Sequence, residues 1–323
     1  MTSSNMLQTT TITLQDTEYT TLPLVLGGNT FGWTSDQEAS FAVLDAFVEA
    51  GGTLIDTADL YAVWAGDHTG GDSEKVLGEW FAARGTRDTV VLATKMGGLA
   101  SYDNQQHDSV VAALEASLDR LQTDYIDVYY AHYDDENVSI EDQATTYDGL
   151  VASGKVRHIA LSNYSPQRMR QWFEYATANG LAVPVAIQPQ YNLVHRQDFE
   201  SAYLPVAREF GAATFPYFAL ASGFLTGKYR SAADLEGRSR QNMVEGYANE
   251  DGFAVVEELV RVAESRGVEP ATVALAWQLT QGVTAPIASA STPEQLPALV
   301  ASGSLTLTDA ELRALNTASQ PFA

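Results

Sequence analysis

Short apolar runs rich in β-branched residues alternate along the chain with longer stretches of helical periodicity. The runs are 23–28 (PLVLGG), 53–57 (TLIDT), 89–94 (TVVLAT), 125–131 (YIDVYYA), 156–161 (VRHIAL), 184–189 (PVAIQP), 212–217 (AATFPY) and 283–287 (VTAPI). They are mostly apolar throughout rather than strictly alternating, which predicts strands buried on both faces and paired in parallel. The intervening patterns predict helices over 36–50, 73–84, 108–121, 141–153, 166–179, 199–210, 253–266 and 293–300, with extra helices at 270–281 and 308–318. Asp108 and Ser165-Pro166 read as helix starts, and Gly180 and Gly267 as helix ends.

This strand–helix alternation runs without a linker-like change of composition. It predicts one domain over 1–323 folded as a single (β/α)₈ TIM barrel, with the extra helices near its C-terminus. The rival, a doubly wound sheet, would carry a GxGxxG turn after a strand, and no such turn appears. Residues 1–20 read as a β-hairpin capping the barrel bottom. The segment 219–252, rich in Gly, Ser, Arg and Asn, is too long for a routine connection and reads as a functional loop.

Composition narrows the chemistry. The chain has no cysteine, which excludes disulfides and thiolate catalysis, and its five histidines are scattered, so no metal is expected. With 41 acidic against 18 basic residues the net charge is −23, and lysine occurs only at 75, 95, 155 and 228. Such a field disfavours nucleic acid and anionic membranes as partners. No uncharged apolar stretch approaches the roughly 18 residues of a membrane span. The N-terminal stretch has neither the basic start nor the apolar run of a signal peptide, so a cytoplasmic protein is expected.

In a barrel of this kind the chemistry sits at the C-terminal ends of the strands. Polar residues there are Asp56 and Tyr61, Lys95, His132, Ser162 and Asn163, Gln188, and Tyr217. Each alone has an ordinary reading as a loop aromatic, a solvated lysine, a core histidine or a turn cap. Together they describe one mouth-facing site. An Asp56–Lys95 ion pair beside Tyr61 is expected to lower the phenol's pKa from about 10 and make it a general acid, with His132 orienting a carbonyl oxygen.

The ordered motifs also carry a resemblance. GGTLIDTADLYA resembles the aldo-keto reductase signature, in which an aspartate precedes the catalytic tyrosine by five residues, as Asp56 precedes Tyr61. VLATKMG and YIDVYYAHYDD resemble the strands bearing that family's lysine and histidine, Lys95 and His132 here. GKVRHIALSNYS, QPQYNL, PYFALASGFLTGKY and PIASASTPEQL resemble its cofactor-binding segments in order. The long-loop arrangement is most similar to the bacterial branch that includes the potassium-channel β subunits.

The resemblance implies NADP(H), with NAD(H) the alternative. Ser162, Asn163 and Gln188 would meet the nicotinamide carboxamide, Tyr217 would stack on the ring, and Gly28 and Asn29 would line the floor. Leu220, Ser222, Gly223 and Lys228 would surround the pyrophosphate, and Arg238 would reach a phosphate. Ser289, Ser291 and Gln295 would lie around the adenosine ribose and its 2′-phosphate. The chain departs from its relatives in three places. Ser291 stands where many carry arginine, Leu299 stands near a missing asparagine, and no Lys or Arg occurs between Arg266 and Arg313.

A further departure is the longer stretch 62–72, whose Trp64 and His68 are either pocket-shaping or plain loop residues. The loops 62–72, 133–140 and 228–252 offer Trp64, Tyr133, Tyr229 and Tyr247 toward a small-molecule carbonyl substrate. The expected activity is hydride transfer between NADP(H) and an aldehyde or ketone, with Tyr61 as proton donor. Two other readings remain open: a cofactor-binding sensor of little turnover, and a barrel hydrolase or isomerase. The sequence sets no oligomeric state.

Overall fold

The computed structural model describes residues 8–235 and 241–323. An antiparallel hairpin, β1 (Thr10–Leu14) and β2 (Thr17–Thr21), precedes eight parallel strands. These are β3 (Val25–Gly27), β4 (Leu54–Asp56), β5 (Val91–Met96), β6 (Ile126–Ala131), β7 (Val156–Ser162), β8 (Ala186–Gln188), β9 (Ala213–Thr214) and β10 (Ile287–Ala288). The sheet order is β10-β3-β4-β5-β6-β7-β8-β9. Backbone hydrogen bonds from Ala285 to the Thr214 carbonyl and from Ile287 to the Pro216 carbonyl join its two edges, which closes the (β/α)₈ barrel.

Side chains alternate along each strand between two apolar layers, which is why the runs look continuously hydrophobic. Leu26, Ile55, Leu92, Tyr129, Ile159 and Ile187 face the helices. Val25, Leu54, Val91, Val128, Ala160 and Ala186 fill the interior. Ile12 and Leu14 of the hairpin join that interior cluster, so Thr10–Thr21 pack against the barrel interior; residues 1–7 of the expected 1–20 hairpin lie outside the described residues.

Expected helix ends hold where the capping chemistry is explicit. The Ser165 side chain accepts from the Arg168 amide ahead of Pro166, and Gly180 and Gly267 close their helices at φ 65° and 64°. Elsewhere the boundaries move. The last strand is Ile287–Ala288 rather than 283–287, because Pro286 offers no N–H and Thr284 and Ala285 are spent on Thr214. The helix expected from 199 opens as a π-helical turn, Phe199–Tyr203: the Leu204 amide bonds Phe199 O, and Pro205 has no N–H to continue the ladder. The helix expected from 253 begins at Glu250, capped by Asn249. The helix starting near 108 begins at His107, with no side-chain cap.

A second apolar cluster, which includes Phe224, Val256, Leu259 and Trp277, supports the long loop from beneath. Tyr229 is buried there, away from its expected place among the substrate-facing aromatics, whereas Tyr247 is half-buried and accepts a hydrogen bond from Gln190, which bridges to Tyr217. No helix among the described residues is long and apolar enough to cross a membrane.

Candidate active site at the barrel mouth

Strand register sets the level of the site: Gly27 pairs with Asp56, Lys95 with Tyr130, and Ser162 with Gln188. Asp56 therefore emerges at the end of β4 beside Lys95 on β5, both fully buried. Lys95 Nζ donates to Asp56 Oδ2 at 2.7 Å, to the Thr57 carbonyl at 2.7 Å and to the Tyr61 hydroxyl at 2.9 Å. Tyr61 Oη donates to Asp56 Oδ2 at 3.2 Å, and Gln188 Nε2 donates to Asp56 Oδ1 at 3.0 Å. All three ammonium protons of Lys95 are thus engaged, so its head cannot swing away from the phenol. The turn after β4 aims Tyr61 into the mouth: its amide bonds the Ala58 carbonyl at 3.2 Å, and the next residue, Ala62, is left-handed at φ 76°.

The electrostatics correct one expectation. Burial, then the Asp56 carboxylate, holds the Tyr61 phenol well above 10 rather than lowering it, so the resting phenol is protonated. Burial pulls Lys95 down, with Asp56 opposing. Burial, then Lys95, pulls His132 well below 6.5, leaving its imidazole neutral at pH 7. His132 follows β6, its amide bonds the Met96 carbonyl, and its buried Nδ1 has no hydrogen-bond partner.

A second network surrounds the first. Ser162 Oγ donates to the Gln188 carbonyl at 2.8 Å. Asn163, left-handed at φ 54°, donates through Nδ2 to the His132 carbonyl at 2.9 Å and accepts at Oδ1 from Tyr217 Oη at 2.9 Å. Asn163 thereby ties the Tyr217 ring to the His132 backbone. Gly28 lies against Ser73 and Asp56: a Cβ there would sit 2.8 Å from Ser73 Oγ.

Past β9 the backbone is strained. Phe218, Ala221 and Ser222 take φ of 53°, 47° and 56°, and Gly223 takes 93°. Non-glycine residues pay of order 1 kcal/mol each for this region, a cost typical of functional loops. Three consecutive left-handed residues, Ala221, Ser222 and Gly223, turn the backbone sharply after Leu220. Lys228 Nζ stands 2.9 Å from where a Gly223 Cβ would lie, placing an exposed cation beside it.

Across the mouth, Ser289 Oγ donates to Asn29 Oδ1 at 2.7 Å. The Ser291 amide donates to Gln295 Oε1 at 2.8 Å, and Ser291 Oγ meets Thr34 Oγ1 at 3.1 Å. Arg238 lies outside the described residues. The sequence-derived residues thus fall into three neighbourhoods: the Tyr61–Lys95–Asp56–Gln188 network joined to Asn163 and Tyr217, the loop at 220–228, and the Ser289–Gln295 segment. Sequence reading missed the Thr57 carbonyl, Thr34 and Phe218. Phe218 carries a findable signal, an aromatic next to Tyr217 at a strand end, whereas a backbone carbonyl carries none.

One residue of the motif has a different character. Asp59 is fully buried, and neither carboxyl oxygen has a hydrogen-bond partner of normal geometry, the Leu60 amide giving slight relief. Burial, then the neighbouring Glu74, pushes its pKa up to about 8. Glu74 takes the available donors instead, Arg120 Nε and Thr94 Oγ1, each at 2.6 Å.

The chain is similar to known reductases over most of its length. It is 36% identical over 308 residues to norsolorinic acid reductase stcV of Emericella nidulans, covering 90% of this chain and 76% of that one. It is 34% identical over 302 residues to aldo-keto reductase YhdN of Bacillus subtilis, covering 90% and 86%. A putative aryl-alcohol dehydrogenase, AAD14 of Saccharomyces cerevisiae, is 33% identical over 79% of this chain and 71% of its own. Residues 23–320 match the model of the aldo/keto reductase family, and with an ordered barrel mouth of this composition the chain belongs to that family of carbonyl oxidoreductases.

Proposed function

We propose that this protein interconverts an aldehyde or ketone and its alcohol using NADP(H), with NAD(H) the alternative, and that Tyr61 is the proton donor. One observation carries the reading: a protonated phenol at the mouth receives a 2.9 Å hydrogen bond from a buried lysine that Asp56 holds in place. When bound, the reduced nicotinamide supplies the hydride. Tyr61 gives its proton to the developing alkoxide, and the Lys95 ammonium stabilises the phenolate left behind. Asp56 fixes Lys95, Gln188 fixes Asp56, and the neutral His132 orients the carbonyl oxygen.

The residues around this network suit a dinucleotide. The amides of Asn163 and Gln188 and the hydroxyl of Ser162 match the carboxamide, with the Tyr217 ring tethered beside them. The left-handed backbone turn that follows Leu220, with Ser222 and Gly223 in it and Lys228 beside it, suits a pyrophosphate. Gly28 and Asn29 line the floor. Ser289, Ser291 and Gln295 offer hydroxyls and an amide to the adenosine ribose, and Arg238 is the assigned partner of a 2′-phosphate. The whole chain, 1–323, acts as one barrel unit.

The test is a fluorescence titration with NADPH and NADH followed by turnover with a generic aldehyde. Binding with turnover supports the proposal. Binding without turnover favours a cofactor-binding sensor, and no binding overturns both.

A further inference from the structure

The large hydrophobic side chains that the described residues leave exposed all follow barrel strands: Val63, Trp64, Tyr133, Phe218 and Met243. Three of them stand directly against site residues. The Trp64 ring is 5.9 Å from that of Tyr61, Tyr133 is 4.6 Å from His132, and Phe218 is 5.1 Å from Tyr217. A protein surface rarely gathers its exposed aromatics in one place without a ligand to cover them.

Trp64 is also held in advance. Trp33 from the loop after β3 meets it edge-on at 5.7 Å and 82°. Its loop is pinned on both sides. Ala62 before it is buried and left-handed, and Val63 and Ala65 bond back to the Leu60 and Ala62 carbonyls. After it, Gly70 and Gly71 lie so close to the Asp59 carbonyl and Arg120 that a Cβ would sit 2.8 and 2.5 Å from them. An indole fixed this way stacks on a ligand at little cost in ordering.

Charge completes the picture. Neither 62–72 nor 133–140 contains a Lys or Arg, while Asp67, Asp72, Asp134, Asp135 and Glu136 lie on these loops. Arg168 reaches this region but is taken by Asp134. A carboxylate or phosphate lying between these two loops would meet the remaining acids, Asp67, Asp135 and Glu136, with no Lys or Arg of these loops to anchor it; the exposed cations Lys228 and Arg230 belong to the separate loop after β9.

From this juxtaposition we infer that the mouth selects an uncharged aldehyde or ketone bearing an extended aryl group, with Trp64 the specificity-determining side chain that stacks on it. This rests on the carbonyl chemistry proposed above. The experiment measures kcat/KM for propanal, benzaldehyde, 2-naphthaldehyde and 4-carboxybenzaldehyde with wild type, Trp64→Ala and Trp64→Phe. The wild type should favour 2-naphthaldehyde over benzaldehyde through KM and disfavour the carboxylate. Trp64→Ala should cut the 2-naphthaldehyde-to-propanal ratio about tenfold, the order expected for losing one buried aromatic contact. Trp64→Phe should restore most of it. Turnover of all four substrates with no aryl preference, or equal losses on propanal and 2-naphthaldehyde in Trp64→Ala, would overturn the inference and leave the carbonyl reading intact. No turnover on any substrate would overturn both.

Discussion

Replacing Asp59 with asparagine should make the protein hold its stability better as pH rises, although the residue is fully buried one turn from Tyr61. The folded carboxyl ionises at about 8, whereas the free side chain ionises at 3.8. Between those values the folded state holds a proton that the unfolded chain has released, so the unfolded state binds fewer protons and stability falls as pH rises. At about 1.4 kcal/mol per pH unit, the wild type loses about 4 kcal/mol from this group between pH 4 and pH 7. That is a large part of a typical folding stability of about 5–15 kcal/mol. Asparagine has no such ionisation, though its unpartnered amide costs about 1–3 kcal/mol at every pH. Urea unfolding of both proteins across pH 4 to 8 should therefore show the Asp59→Asn variant weaker than or equal to wild type at pH 4. At pH 8 the variant should be the stronger by a few kcal/mol. Parallel curves would show that the Asp59 carboxyl is solvated or paired, and the reasoning from its burial would fail.

Other perturbations read other parts of the site. Lys95→Met should shift the pH profile of alcohol oxidation alkaline and lower stability by about 3–5 kcal/mol, since Asp56 is left buried and uncompensated; an unchanged profile and melt would reduce Lys95 to a bystander. Arg120→Ala should cost a similar amount in urea unfolding by stripping Glu74 of its partner at 2.6 Å, and a loss below about 1 kcal/mol would show the pair to be surface-like. Arg238→Ala should weaken NADPH by about 1.5–3 kcal/mol and leave NADH nearly unchanged; equal losses for both cofactors, or none, would remove it as the 2′-phosphate partner.

Much of this molecule is legible in its sequence because the barrel writes its strands as runs buried on both faces. The candidate site is legible for a related reason: each proposed side chain sits at or shortly after a strand's end, and the Asp56–Tyr61 spacing fixes two of them on one turn. Other features depend on what packs around a residue and leave no local mark. Nothing in TAD distinguishes Asp59 as an orphaned buried acid, because Glu74 and Arg120 come from other elements. Counting charges alone misjudges the direction of the Tyr61 shift, since it omits burial, the largest cause, to which the Asp56 carboxylate adds. Trp33 and Trp64 meet across separate loops, so their pairing has no sequence signature. The last strand starts late because Pro286 and the bonds to Thr214 decide where a ladder can begin.

The central claim is that Tyr61 supplies the proton. Its most direct test is single-turnover oxidation of bound NADPH by an aldehyde, compared between wild type and Tyr61→Phe, with cofactor affinity measured on the same samples by fluorescence. The substitution removes the hydroxyl that Lys95 approaches at 2.9 Å and keeps the ring. The rate should fall by about 10²–10⁴-fold, the range for a lost general acid, with NADPH affinity within a few-fold of wild type. A rate within a few-fold of wild type would contradict the account.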